Sequence, residues 1–345
     1  MLYNIEYKAV RTLLTFLALF AINTAAIAED AVVFIHPSTG RTTQATGTIE
    51  DYNYNELIIR TTNGQIKTIE TDSIKEIKSE RSAFFQEAVM QMNGLEFSKA
   101  TQLLESALSQ TSVSWKKQEV LAKQVECLCC LDRYEEAAMK YVNILQLDSN
   151  SAYWDSIPII WTSIELSSRM EQTAQKWIRQ QEIPALSLLG ASFLLTSSNK
   201  TAAQTALNAL SKSNNVTISV LAQMQLNRLS LTQMSANAIK NLENKVDQTP
   251  KSVQFGARFI LAQLWGRSAL DPAEKTDKIA VNYLQCALNS RTPVELQARS
   301  LYSAGSVLMN NNRQDEALRI FSYLVQKYPD SQWSQQARRT AGGKL

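Results

Sequence analysis

The sequence is poor in residues that interrupt helices. It carries 10 glycines and 7 prolines in 345 residues, about 5% against ~12% in an average protein. That excludes a collagen-like chain, argues against an all-β one and favours long helices. Histidine is nearly missing: His36 stands alone, just before Pro37. An imidazole-built metal site or a Ser–His relay is therefore nearly excluded, since each draws its imidazoles from the same chain. His36 itself reads as structural or solvated. The sequence has no GxxxxGK[ST], HExxH or GxSxG run, so phosphate-cradling, zincin and hydrolase-elbow chemistry have no carrier. No catalytic, cofactor-binding or metal-binding residue is expected. Charged residues make up 19% and hydrophobic ones 45%, too apolar for a disordered chain. Basic residues are scattered, without a stripe interleaved with aromatics, so no nucleic-acid partner is expected.

What is present begins with an address. Residues 1–28 read as a secretory signal. Lys8 and Arg11 form a basic start, Thr12 to Ile22 an apolar core, and Ala26-Ile27-Ala28 a cleavage site before Glu29. The apolar run of 11 residues reaches about 16 Å as a helix, short of a bilayer core of roughly 30 Å. Cleavage after Ala28 implies a periplasmic or secreted protein. Removing Lys8, Arg11 and Glu6 takes the net charge from +3 to +2. No later stretch approaches 18 apolar residues, so no membrane span is expected in the mature chain.

Four cysteines, Cys127, Cys129, Cys130 and Cys286, invite a disulfide reading in an exported protein. Their spacing opposes it. Cys127 and Cys130 would share a helix face with Cβ atoms ~5–6 Å apart, too far for a bridge. Buried thiols are the expected state, with redox pairing and metal binding as alternatives.

Residues 29–79 read as a small β module. Alternating segments at 31–35, 45–51, 56–61, 65–71 and 73–78 are separated by turn residues, with Asn63-Gly64 as the strongest hairpin signal. The rhythm of GTIEDYNYNELIIRTTNGQIKTIETDSIKEI resembles SH3-like and Sm-like barrels. The module's plainest reading is a docking or capping element with no ligand; the RNA binding of Sm-like rings is not carried over, because the chain is expected to be exported and its basic residues here are balanced by acids.

From about Ser82 to Ala341 the pattern reads as helical throughout, and a ruler recurs along it. Gly305, Ala317, Phe321, Leu324 and Pro329 mark two helices around a tight turn. Ala88, Ala100, Leu104 and Ala107 repeat the ruler, as do Val125, Ala137, Tyr141 and Ile144, and Gly190, Ala202, Ala206 and Ala209; Leu226, Ala238 and Leu242 fit loosely. Small residues let paired helices approach, with Gly305 expected to face Ala317, and a bulky residue fills the space against the next unit. Glu135-Glu136 and Asp315-Glu316 fall where second helices begin, where carboxylates meet the positive end of the helix dipole. Trp154 and Trp161, seven apart around Pro158, read as one helical core face.

These residues resemble the tetratricopeptide (TPR) family, best over 298–331, 81–114 and 118–151, and weakly over 151–182 and 253–292. Leu301, Leu121 or Phe84 stands where the family has a first-helix Trp. The resemblance implies a mainly α fold: a TPR-like helical-hairpin solenoid over 80–341, about six to seven hairpins, preceded by the small all-β barrel-like module. It also implies a concave face lined by first-helix residues. Carried over, these include Phe85, Val89, Met92 and Asn93; Glu119, Ala122, Glu126, Cys129 and Cys130; and Arg299, Tyr302, Ser306, Met309 and Asn310. Phe85, Met92, Asn93, Glu126, Tyr302, Met309 and Asn310 are the candidate partner-binding set. Their mix of Met, aromatic and amide suits an amphipathic helix or extended peptide, whereas the family's carboxylate clamp lacks its lysines. Met92 and Met309 could equally be core gap-fillers. The expected function is a non-enzymatic, exported protein–protein interaction adaptor of the bacterial envelope, binding a protein or peptide. The alternative is a self-associating structural subunit.

Overall fold

The computed structural model describes residues 29–229, 234–289 and 291–342, so the leader 1–28 lies outside the described residues. The chain divides into two compact units between Arg81 and Ser82. It is mainly helical, with a small antiparallel sheet near its N-terminus.

In the first unit, β1 (Asp30–Ile35), β2 (Thr42–Tyr52), β3 (Glu56–Thr61), β4 (Ile66–Glu70) and β5 (Ile74–Lys78) form one sheet in the order β4-β3-β2-β1-β5. All pairings are antiparallel. Alternation puts Ala45 and Ile49 of β2 and Leu57 and Ile59 of β3 on one buried face with Val32, Phe34 and Ile69. Register breaks between Ile49 and Asp51 and between Val33 and Phe34 bend the strands. The sheet curls far enough for Lys67 of β4 to lie 4.6 Å from the Phe34 ring centroid of β1, three strands away. A short 3-10 turn, Thr71–Ser73, leads from β4 to β5. The Asn63-Gly64 turn is a hairpin, but not of the two-residue type that the pair most favours. Gly64 donates to the Thr61 carbonyl and alone has positive φ, +84°, while the Thr61 N–H donates to Gln65. That is a type I turn followed by a left-handed glycine.

The second unit contains fourteen α-helices among the described residues. They are α1 (Ala83–Asn93), α2 (Phe97–Gln110), α3 (Ser114–Cys130), α4 (Tyr134–Leu147), α5 (Ser168–Trp177), α6 (Pro184–Leu194) and α7 (Lys200–Leu210). There follow α8 (Val216–Leu229), α9 (Ala236–Asp247), α10 (Lys251–Gly266), α11 (Pro272–Ala287), α12 (Val294–Asn310), α13 (Gln314–Lys327) and α14 (Gln332–Thr340). The most extensive helix contacts are between neighbours in sequence.

Three of the hairpins share one turn. Leu95, Asp132 and Asn312 have φ of 63°, 56° and 61°. Each donates to the carbonyl three residues back, and the next residue donates to the carbonyl five back: Leu95 to Met92 and Glu96 to Gln91, Asp132 to Cys129 and Arg133 to Leu128, Asn312 to Met309 and Arg313 to Leu308. This is the Schellman closure of a helix. Its last residue then accepts from Ala100, Ala137 or Ala317 and starts the second helix. All three alanines are fully buried, because a larger side chain would hold the helices apart. Arg133 and Arg313 each form a two-pronged contact with the glutamate three residues on, Glu136 and Glu316.

The ladder predicted from sequence holds for 83–147, where Ala88, Leu104, Ala107, Val125, Tyr141 and Ile144 are buried. It needs correction elsewhere. Gly305 does not open space for Ala317: a Cβ there would lie 2.4 Å from the Phe321 ring, so the glycine admits that aromatic. Gly190 faces backwards, its missing Cβ leaving room for Ala174 and Trp177 of α5. Accordingly Ala202 and Ala209 are exposed, and Ala203 and Leu207 carry the buried face of α7. In α9 the buried residues are Ile239, Leu242 and Val246, with Ala238 half-buried. Phe84 is exposed, unlike Leu121 and Leu301.

The largest departure is between α4 and α5, where the chain is not helical. After a 3-10 turn, Trp154–Ser156, residues 157–161 run without regular structure and are all buried. Trp154 and Trp161 are core residues, as expected, but not on a helix. Pro158 and three isoleucines in IPIIW explain this: proline lacks an amide and disfavours helix before it, and β-branched chains prefer extended backbone.

Candidate functional site

The buried strap 157–162 must satisfy its backbone without a ladder. Two side chains of α8 do this. Gln225 Nε2 donates to the Ile160 carbonyl at 3.0 Å, and Arg228 donates to Ile160 at 2.7 Å and to Thr162 at 2.8 Å. Arg228 also reaches the Ser192 carbonyl and Gln225 Oε1. Burial brings the guanidinium down to about 10, because charge is disfavoured away from water. Trp161 enters a notch at Gly256 of α10, where a Cβ would lie 2.0 Å from its indole. The start of the strap is tied by Ser151 to Gln118 (2.5 Å) and by the Tyr141 hydroxyl to the Trp154 carbonyl (2.7 Å).

One face of this strap is a wall of a small surface cleft. Four stretches distant in sequence converge on it. Val125, Glu126 and Cys129 come from α3 and Tyr134 from α4; Asp155 to Ile159 form the strap wall; Ser252 and Phe255 come from α10; Arg291 and Pro293 precede α12. Phe255 is set edge-on to Trp161, centroids 6.5 Å apart. Asp155 accepts from Ser252 Oγ at 2.5 Å, and Glu126 pairs with Lys123 at 2.9 Å. Tyr134 is 8% exposed and its hydroxyl is pushed well up, first by burial.

The sequence-derived candidates do not form one site. Phe85 and Met92 are each 8% exposed and belong to the core of α1, α2 and α3; they fill space and are not groove-lining residues. Asn93 and Asn310 are exposed at the ends of α1 and α12. Tyr302 is half-buried, stacked on Phe321 at 5.9 Å and tilted against Trp333 at 5.5 Å; Met309 packs on the same terminal core. Of the set, Glu126 reaches the cleft. Tyr134, Phe255, Asp155 and Arg291 were not singled out from sequence. The extended, proline-bearing run IPIIW was the available signal.

The four cysteines are free and buried. Burial pushes Cys127 and Cys286 up to about 12 and raises Cys129 and Cys130 as well, so little reactive thiolate forms at neutral pH. Among the described residues no cluster of three His, Cys, Asp or Glu could hold a metal ion, and no helix is long and apolar enough to cross a membrane. No protein-family model matches this chain, and no curated protein sequence is significantly similar to it.

Proposed function

We propose that this chain is a non-enzymatic, exported protein–protein interaction scaffold of the bacterial cell envelope, with TPR-like hairpins following a small SH3-like barrel. The observation that carries the reading is the turn repeated at Leu95, Asp132 and Asn312 with its buried alanine. A supersecondary unit reused with the same closure is the mark of stacked-repeat proteins, whose surfaces bind other proteins. The curled five-stranded sheet with a 3-10 turn before its last strand supports the barrel reading. The leader-like residues 1–28 support export.

The self-associating alternative draws on Met90, Met139, Val281 and Leu288, apolar side chains between 47% and 67% exposed. One experiment separates the two readings. A photo-crosslinking amino acid is placed at Asn93, Arg291 and Asn310 in the native host, and adducts are identified by mass spectrometry. The scaffold reading expects one or a few envelope proteins. Adducts between copies of this chain alone favour self-association, and adducts with cytosolic proteins alone contradict export.

A further inference from the structure

We propose that the slot between α8 and α9 binds an extended segment of a partner protein. Gln223, Asn227 and Asn241 hydrogen-bond its backbone, Leu226 and Leu242 receive one apolar side chain, and Lys245 pairs with an acidic one. This use of the slot rests on the scaffold reading and adds the chemistry of the partner.

Three observations carry it. First, this hairpin is splayed. Of the helix pairs joined by a short loop, α8 and α9 touch least. Ala100, Ala137 and Ala317 are fully buried in their hairpins, but Ala238, in the corresponding place of α9, stays half-buried. A groove with room for about 270 Å³ is left between the two helices, close to the smallest volume at which ligand pockets are found. Second, its polar groups are uncommitted. The side chains of Gln223, Asn227 and Asn241 make no hydrogen bond to any described residue. Each amide offers an acceptor beside a donor, the complement of a peptide group, and pairing it with a ligand breaks no internal bond. Gln223 and Asn227 stand one turn apart on α8, and Asn241 and Lys245 one turn apart on α9, so each pair lies on one helix face and both walls of the slot carry polar groups. Third, α9 sorts its charges between two faces. Glu243 and Asp247 line a separate groove, where both pair with Arg258 of α10 and Glu243 also accepts from Asn282 of α11 at 2.8 Å. Lys245 is the one charged residue lining the slot, and no carboxylate of a described residue lies within ion-pair distance of it. An acidic side chain is therefore the complementary one.

The test uses the full mature chain as bait for a display library of random dodecapeptides. Enriched peptides are then synthesised, and their affinities are measured by fluorescence anisotropy. They are expected to share an acidic residue close to a Leu, Ile or Met. Asn227→Ala combined with Asn241→Ala should weaken their binding about tenfold, the worth of roughly two neutral hydrogen bonds. The melting temperature should not fall, since neither amide has a partner to lose. Lys245→Glu should turn the selected charge from acidic to basic, which a merely structural role of Lys245 would not do. No enrichment, enrichment of peptides without an acidic residue, an unweakened double variant, or an unchanged charge preference in Lys245→Glu would each overturn the proposal. Crosslinks to envelope proteins at Asn93, Arg291 or Asn310 alongside a failed selection would leave the scaffold reading standing. A successful selection without such crosslinks would leave the slot standing and count against the scaffold.

Discussion

The hairpins at 83–147 and 294–327 and the strap at 157–162 solve the same problem in different ways. Each must bury apolar surface while satisfying its backbone. In the hairpins the helix satisfies itself, and a buried alanine after a shared turn sets the approach of the two rods. In the strap the backbone relies on side chains, Gln225 and Arg228 of α8, and a glycine of α10 makes room for its Trp161. The regular solution repeats and so can extend. The irregular one is made once and ties α3, α6, α8 and α10 around a single segment. The cleft sits against the irregular one, where fixed non-helical backbone leaves space that stacked helices would close.

The contrast is tested first by its aromatic anchors. Phe321→Ala in the terminal hairpin and Trp161→Ala in the strap should each cost about 3–5 kcal/mol by cavity formation, read by chemical denaturation. The strap variant should in addition expose amides of α8 and α10 to hydrogen exchange, whereas the hairpin variant should affect α12 to α14 alone. Next is Arg228→Met, which leaves the Thr162 and Ser192 carbonyls without this donor; about 2–4 kcal/mol should be lost, each orphaned buried group costing ~1–3. Third, Gly305→Ala should cost roughly 1–3 kcal/mol by overpacking, while Ala202→Leu, on the exposed side of α7, should fall within about 0.5 kcal/mol of wild type. A sizeable loss at Ala202 would restore the original ruler there.

The smallest effects probe the shared turn. Leu95 holds a left-handed conformation that Asn312 occupies more easily, and Leu95→Gly should raise stability by roughly 0.5 kcal/mol, the difference between αL strain and glycine entropy. Asp132 is raised above its ordinary value, first by burial and then by Glu295. Its folded state therefore holds the proton more tightly than the unfolded state. Stability is favoured by protonation and declines as pH rises from the ordinary value through the raised one. Asp132→Asn should accordingly raise the melting temperature at pH 7 and not below the carboxylate range, by a small margin because the side chain is partly solvated.

The regular half of the fold was legible because its signal is local. Ala100, Ala137 and Ala317 sit at fixed distances from their turns, and acidic pairs mark the helix starts. The five strands were legible for the same reason, through alternation and turns. Gly190 shows where a local ruler stops working: its small size serves the helix before it, and nothing in the spacing says which neighbour a glycine admits. Arg228 was less legible still. An arginine in a helical run ordinarily reads as surface, and its carbonyl partners lie 66 and 68 residues away along the chain. Phe85 and Met92 misled because the first-helix positions of an end hairpin pack inward here.

The most direct test of the strap's place is a double-mutant cycle of Gly256→Ala with Trp161→Ala, followed by denaturant unfolding. Alone, Gly256→Ala should cost about 1–3 kcal/mol, because its new methyl meets the indole. In the Trp161→Ala background that cost should vanish, giving a coupling energy of similar size. Additive losses would mean that the indole does not occupy the glycine notch, and that the strap and its cleft are not arranged as described.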